Sequence, residues 1–198
     1  SFNSSRFCLV DRGIIFAIAH VRGGGELGDH WHEESKFSKK INTFKDYISC
    51  SNYLIEQKYT YKGGICFLGG SAGGLTGSAV ANMAPELFFS MLLLVPFCDP
   101  LTTLLNAKLP LTPSEWELWG NPIKSKKYFE SILSYSPYNN LRETSYPPML
   151  VTTSLFDSRV LYSEPVKYVA KLRELKNDKN LQLLKCKMKA ASHSGPSG

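Results

Sequence analysis

Gly69-Gly70-Ser71-Ala72-Gly73-Gly74 follows the apolar run Ile65-Cys66-Phe67-Leu68 and precedes Leu75 to Met83, which can form a helix. The order is strand, tight turn, helix, with a serine at the tip. It fits Gly-x-Ser-x-Gly, the pattern of a nucleophile elbow. A sharp strand-to-helix turn forces unusual backbone angles, and small neighbours let the serine side chain stand clear of the sheet. Backbone N–H groups at the start of the following helix can stabilise an oxyanion. The competing reading is an ordinary glycine-rich loop between a strand and a helix.

Two later residues separate these readings. A hydroxyl is a poor nucleophile until a base takes its proton, and the base must itself be held by a third group. In α/β-hydrolases the chain order is Ser, then Asp or Glu, then His. His193 is the only histidine after Ser71, and it lies beyond the apolar run Leu181 to Cys186. Asp157 lies between them, just after the strand-like Met149-Leu150-Val151-Thr152-Thr153. Open α/β sheets hold their sites at the C-terminal ends of strands. Ser71, Asp157 and His193 each follow a strand, in the required order, and are the candidate triad.

Working outward, the run Gly13 to Ala19 reads as a strand buried on both faces. Arg22-Gly23-Gly24-Gly25-Glu26-Leu27-Gly28 then matches Gly-x-Gly-x-x-Gly, but the acids of Asp29-His30-Trp31-His32-Glu33-Glu34 would lie where a pyrophosphate should sit. The same histidines have no further ligand at a familiar metal spacing, so no metal and no cofactor is expected. Asn42 is placed to cap a helix carrying Phe44, Tyr47, Ile48, Leu54 and Ile55. Met91 to Val95 is another buried strand. Residues 97–146 have several prolines and no clear strand, and read as short helices inserted above the sheet. Ser163 and Pro165 start a helix with Val166, Val169, Leu172 and Leu175 on one stripe. Alternating strands and helices imply an α/β fold with a mainly parallel sheet of about five strands and helices on both faces.

Composition bounds the alternatives. The 198 residues, 43% of them hydrophobic, suffice for one domain with a sizeable core. The net charge is +6, but the basic residues are dispersed, which favours a solvated lysine-rich surface over a nucleic-acid partner. No run is long enough to span a membrane, and no signal peptide opens the chain. Five cysteines without a Cys-x-x-Cys sit mostly in apolar stretches and read as core residues of a cytoplasmic protein.

With these residues in view, the chain resembles the catalytic domain of the prolyl oligopeptidase family, on its oligopeptidase B branch. The stretches that carry the resemblance are Asp11-Arg12-Gly13, His20 to Glu26, Asn42-Thr43-Phe44, Gly69 to Gly74, Trp119-Gly120-Asn121-Pro122, Ser136-Pro137-Tyr138, Asp157-Ser158-Arg159-Val160, and Glu164-Pro165 through Arg173. They cover nearly the whole chain in order. The resemblance implies an α/β-hydrolase fold truncated at both ends, a single partial domain over 1–198. It implies a serine endopeptidase acting on short peptides through an acyl-enzyme, with Ser71, Asp157 and His193 as triad. Ala72 would supply one oxyanion-hole N–H, and Arg159 would hold a substrate backbone carbonyl. Family members carry an N-terminal β-propeller, of which nothing is here, and an oxyanion tyrosine just upstream of Ser1. The family usually has glycines beside its histidine, where this chain has Ser192 and Ser194. Inactive prolyl endopeptidase-like relatives and an esterase on the same triad are the alternatives.

One further stretch concerns specificity. Ser114-Glu115-Trp116-Glu117-Leu118-Trp119-Gly120 sets two carboxylates two residues apart among tryptophans. Acids at a helix start complement its dipole, which is sufficient reason for both. In the oligopeptidase B branch the positions matching Glu115 and Glu117 select basic side chains. The resemblance therefore implies short basic peptides, cut after Arg or Lys, as substrates.

Overall fold

Four apolar segments become strands: β1 (Ile65–Gly70), β2 (Phe88–Leu94), β3 (Met149–Ser154) and β4 (Gln182–Lys187). They form one sheet in the order β1-β2-β3-β4, with every pairing parallel. The computed structural model describes residues 4–189 and 193. Parallel neighbours need long crossovers, and helices supply them. α1 (Phe7–Val10), α2 (Asp29–Glu33) and α3 (Ile41–Glu56) precede the sheet. α4 (Ala72–Met83) joins β1 to β2. α5 (Pro100–Leu104), α6 (Thr112–Trp119) and α7 (Lys126–Tyr135) fill the long connection to β3, and α8 (Ser163–Leu175) leads to β4.

Register decides what each sheet face buries. Phe67, Met91 and Met149 align across three strands, as do Leu93, Val151 and Leu184. These residues form one core with Phe44 of α3, Leu75 and Val80 of α4, and Tyr168 and Leu172 of α8. The opposite face carries Leu68, Leu92, Leu150 and Leu183 in register. There Leu68 is 54% exposed, Leu150 38% and Leu183 47%. Helices α3 to α8 thus contribute to a single core, and this leucine row stays largely open.

Three expectations are corrected. The run Gly13 to Ala19 is not a strand, so the described sheet has four strands rather than about five. Ile14, Ile15 and Ile18 are exposed, and no described strand lies beside them. Without a ladder partner, apolar and β-branched composition does not make a strand. Asn42 does not cap α3: the N-cap is Lys40, and Asn42 Nδ2 donates to the Glu34 carbonyl at 2.9 Å, tying down the preceding loop. The cysteines are not mostly core residues. Only Cys98 is buried, while Cys8, Cys50 and Cys66 are exposed and Cys186 is intermediate. Cys66 alternates with buried Phe67 along β1 and so falls on the open face.

The glycine-rich stretch is a clasp. The Arg22 guanidinium grips Asp46 of α3 through Nε at 2.8 Å and Nη2 at 2.5 Å, and Thr43 Oγ1 donates to the Arg22 carbonyl at 2.7 Å. Gly23 has φ +104°, and a Cβ there would lie 2.4 Å from Ser35 Oγ. Its glycine is therefore explained by the turn, without a nucleotide. Among the described residues no group of three or more His, Cys, Asp and Glu stands together as a metal site. Among the same residues no helix is long and apolar enough to cross a membrane.

A second clasp binds the inserted helices to α8. Glu164 is 3% exposed and accepts from Asp99 N at 2.9 Å and Thr103 Oγ1 at 2.5 Å. Burial pushes its carboxyl up to about 7. Lys167 pairs with the fully buried Asp99 and lies 4.6 Å from the centre of the Tyr138 ring. The clasp ties α5, which opens the insertion, to the helix that follows the Asp157 loop.

Candidate active site

Ser71 sits between the end of β1 and the first residue of α4, with φ +53° and ψ −119°. This is a conformation that side-chain-bearing residues rarely adopt. Its backbone is fixed from three sides. Ser71 N donates to the Leu94 carbonyl at 2.9 Å, and the Ser71 carbonyl accepts from Leu75 N and Phe97 N, both at 3.1 Å. Close packing demands glycine at two neighbours. A Cβ on Gly69 would lie 2.7 Å from the Gly73 carbonyl oxygen, and one on Gly74 would lie 2.6 Å from Pro96. A Cβ on Gly73 would meet nothing within 4 Å. The crowding thus falls on Gly69 and Gly74, not on the last glycine of the five-residue pattern.

The three candidate residues converge. His193 Nε2 lies 2.9 Å from Ser71 Oγ. His193 Nδ1 lies 2.9 and 3.0 Å from the two Asp157 oxygens. An acceptor-only carboxylate on Nδ1 requires a proton there, which leaves Nε2 of the neutral ring to accept from the serine hydroxyl. Asp157 is 5% exposed, and its Oδ1 also accepts from Arg159 N at 2.8 Å and Val160 N at 3.0 Å. These N–H groups hold the carboxylate and stabilise its charge. The serine hydroxyl, imidazole and carboxylate therefore form one hydrogen-bonded chain, rooted in the turn after β3. Ser192 and Ser194, which flank the histidine, lie outside the described residues.

Ala72 opens α4, so its N–H belongs to the first turn, where no intrahelical acceptor exists. The Arg159 side chain is exposed while its backbone serves Asp157. Glu115 and Glu117 separate. Successive helical residues turn by about 100°, so positions two apart point to opposite sides of α6. Glu115 is half-buried and accepts a hydrogen bond from Trp119 Nε1, while Glu117 is exposed. The Trp119 ring packs on Phe97 at 5.6 Å between centres, and Phe97 N is bonded to the Ser71 carbonyl. Glu115 is thus connected to the nucleophile turn through two aromatic side chains.

The sequence reading missed this aromatic bridge. Phe97 stands just beyond β2 with no motif of its own, and Trp119 enters the sequence reading only through a family stretch and as a neighbour of the two acids. It also missed Lys40, whose Nζ lies 4.8 Å from the centre of the Trp119 ring. Nothing in the spacing of Lys40 and Trp119 announces that contact.

The comparisons agree on one relationship. The model described as the prolyl oligopeptidase family matches residues 1–198. The chain is 47% identical to dipeptidyl aminopeptidase BI of Pseudoxanthomonas mexicana, over all of its own length and 27% of that relative. It is 40% identical to a prolyl endopeptidase-like protein of Xenopus laevis, over 90% of this chain and 25% of the relative. Oligopeptidase B from Trypanosoma brucei, solved in a closed form with covalently bound antipain, superposes with a TM-score of 0.93 at 47% identity, over 97% of this chain and 28% of that structure. These likenesses identify the fold as that of an α/β-hydrolase. The chain spans about a quarter of the length of the relatives it matches.

Proposed function

The chain belongs to the prolyl oligopeptidase family, and on that premise we propose that it carries the catalytic machinery of a serine endopeptidase that cuts short peptides after arginine or lysine. The observation that carries this reading is the continuous chain from Ser71 Oγ through His193 to Asp157. As the Ser71 oxygen attacks the scissile carbonyl, its proton passes to His193 Nε2, and the imidazolium is stabilised by Asp157. The tetrahedral oxyanion is met by the Ala72 N–H at the head of α4. Collapse breaks the C–N bond, the leaving amine takes the proton from Nε2, and an acyl-enzyme remains on Ser71. Water, deprotonated by the same nitrogen, then releases the acid and restores the serine. That the related oligopeptidase B holds antipain covalently supports a nucleophile in a relative of this fold.

Specificity follows from Glu115, the half-buried carboxylate joined to the elbow through Trp119 and Phe97. A guanidinium or ammonium gains charge-assisted hydrogen bonds there that a neutral side chain cannot make. Arg159, exposed and bonded through its backbone N–H to Asp157, serves the substrate backbone. Residues 1–198 form a single partial catalytic domain, and the complete protein carries an N-terminal β-propeller in its remaining length.

Two measurements on the complete protein test this. A fluorophosphonate should label the wild type at Ser71 and leave Ser71→Ala unlabelled. Labelling elsewhere would reassign the nucleophile. Fluorogenic peptides differing only at the residue before the cut should be cleaved after Arg and Lys. The set includes peptides with a free amino group two residues before the cut, since one relative is named for releasing dipeptides. Cleavage after Pro, or no peptide cleavage at all, would overturn the assignment.

A further inference from the structure

Lys40 follows the 3-10 turn Phe37–Lys39 and is the N-cap of α3. Its neighbours are held in ion pairs: Lys36 with Glu33 and Lys39 with Glu34, each at 2.6 Å. Lys40 instead turns inward and forms no ion pair among the described residues. Its Nζ stands over the Trp119 ring, 4.8 Å from the centre. The same indole donates its Nε1–H to Glu115 and packs on Phe97, which is bonded to Ser71. A cation on the indole face and a carboxylate at its edge thus share one ring beside the nucleophile turn. The ring's negative face holds the ammonium even without a direct ion pair.

We propose that Lys40 is a specificity-determining residue of the Glu115 pocket, a resident cation that every arriving basic side chain must tolerate. The proposal rests on reading Glu115 as the carboxylate that takes the substrate's cation. While Lys40 is charged, it lowers the negative potential that Glu115 offers and repels a second cation. When Lys40 is neutral, Glu115 is unshared. Burial pulls Lys40 down to about 8, against the opposing pull of Glu115, so the change falls within an ordinary assay range. Trp119 of α6 lies under its Nζ and Glu115 of the same helix is the charge that acts on it, while Glu33 and Glu34 of its own segment are engaged by Lys36 and Lys39. Glu115 thus sets which charge is selected, and Lys40 sets how strongly and at which pH.

The test uses the complete protein and two fluorogenic peptides, one with arginine and one with neutral citrulline before the cut. The wild-type KM for the arginine peptide should fall about five- to tenfold as pH rises from about 7 to about 9, while the citrulline KM stays level. Lys40→Met should give the low arginine KM throughout, with no slope. Lys40→Arg, which keeps its charge and its place on the indole, should give the high KM throughout. If Lys40→Met and Lys40→Arg both reproduce the wild-type slope while Glu115→Gln loses the arginine preference, Lys40 is only a helix-start residue and the inference fails alone. If Glu115→Gln keeps the arginine preference, the pocket assignment falls and this inference falls with it.

Discussion

The triad and the acidic pair invert each other. Ser71 and His193 are 122 residues apart in sequence and 2.9 Å apart in space. Glu115 and Glu117 are two residues apart in sequence and lie on opposite sides of α6. Ser71 and Asp157 come from the turns that end β1 and β3 and His193 from beyond β4, and a parallel sheet brings such strand ends to one edge. The glutamates come from one helix, whose turn pulls them apart. Closeness along the chain is therefore a poor guide to shared function on a helix. Matching positions on successive strand ends are a good one.

The largest expected effects test the convergent side of the comparison. Ser71→Ala should lower kcat/KM by about 10⁴-fold or more, with peptide binding largely retained. Asp157→Asn keeps the shape but cannot accept the His193 Nδ1 proton in the same way, and should cost about 10³- to 10⁴-fold in kcat. Stopped-assay kinetics measure both, and near-normal turnover in either would mean that the hydrogen-bonded chain is not the reacting one. The divergent side predicts smaller and unequal losses. Glu115→Gln should weaken arginine peptides by about 1–3 kcal/mol in kcat/KM while sparing citrulline peptides, since Glu115 is only half-buried. Glu117→Gln should cost less than about 0.5 kcal/mol, as for an exposed charge. Equal losses in the two variants would show that α6 rearranges to present both carboxylates together.

Much of this was legible in the sequence for physical reasons that differ by element. β1, β2, β3 and β4 were readable because strands buried in a sheet are short apolar runs bounded by polar turns. The triad was readable because chemistry limits its residue types and the fold limits their order. The run Gly13 to Ala19 misled because apolar composition reports a wish for burial, whereas a strand also needs a neighbour. Asn42 misled because a good capping residue two positions late serves the loop instead. The Lys40–Trp119–Glu115 arrangement was invisible because it joins two segments nearly eighty residues apart. Each member has an ordinary local explanation: a lysine-rich turn, an aromatic at a helix end, an acid at a helix start. Only the packing of α6 against the Phe37–Lys39 turn brings them onto one ring.

The backbone at Ser71 has a consequence for evolution as well as for chemistry. A serine held at φ +53° and ψ −119° stores strain of about 1–3 kcal/mol that glycine would not carry. Ser71→Gly should therefore raise the melting temperature by a few degrees while abolishing turnover, which calorimetry beside an activity assay would measure. A lineage released from selection for hydrolysis would drift toward glycine here and become more heat-resistant by doing so. Only the use of its hydroxyl offsets that strain.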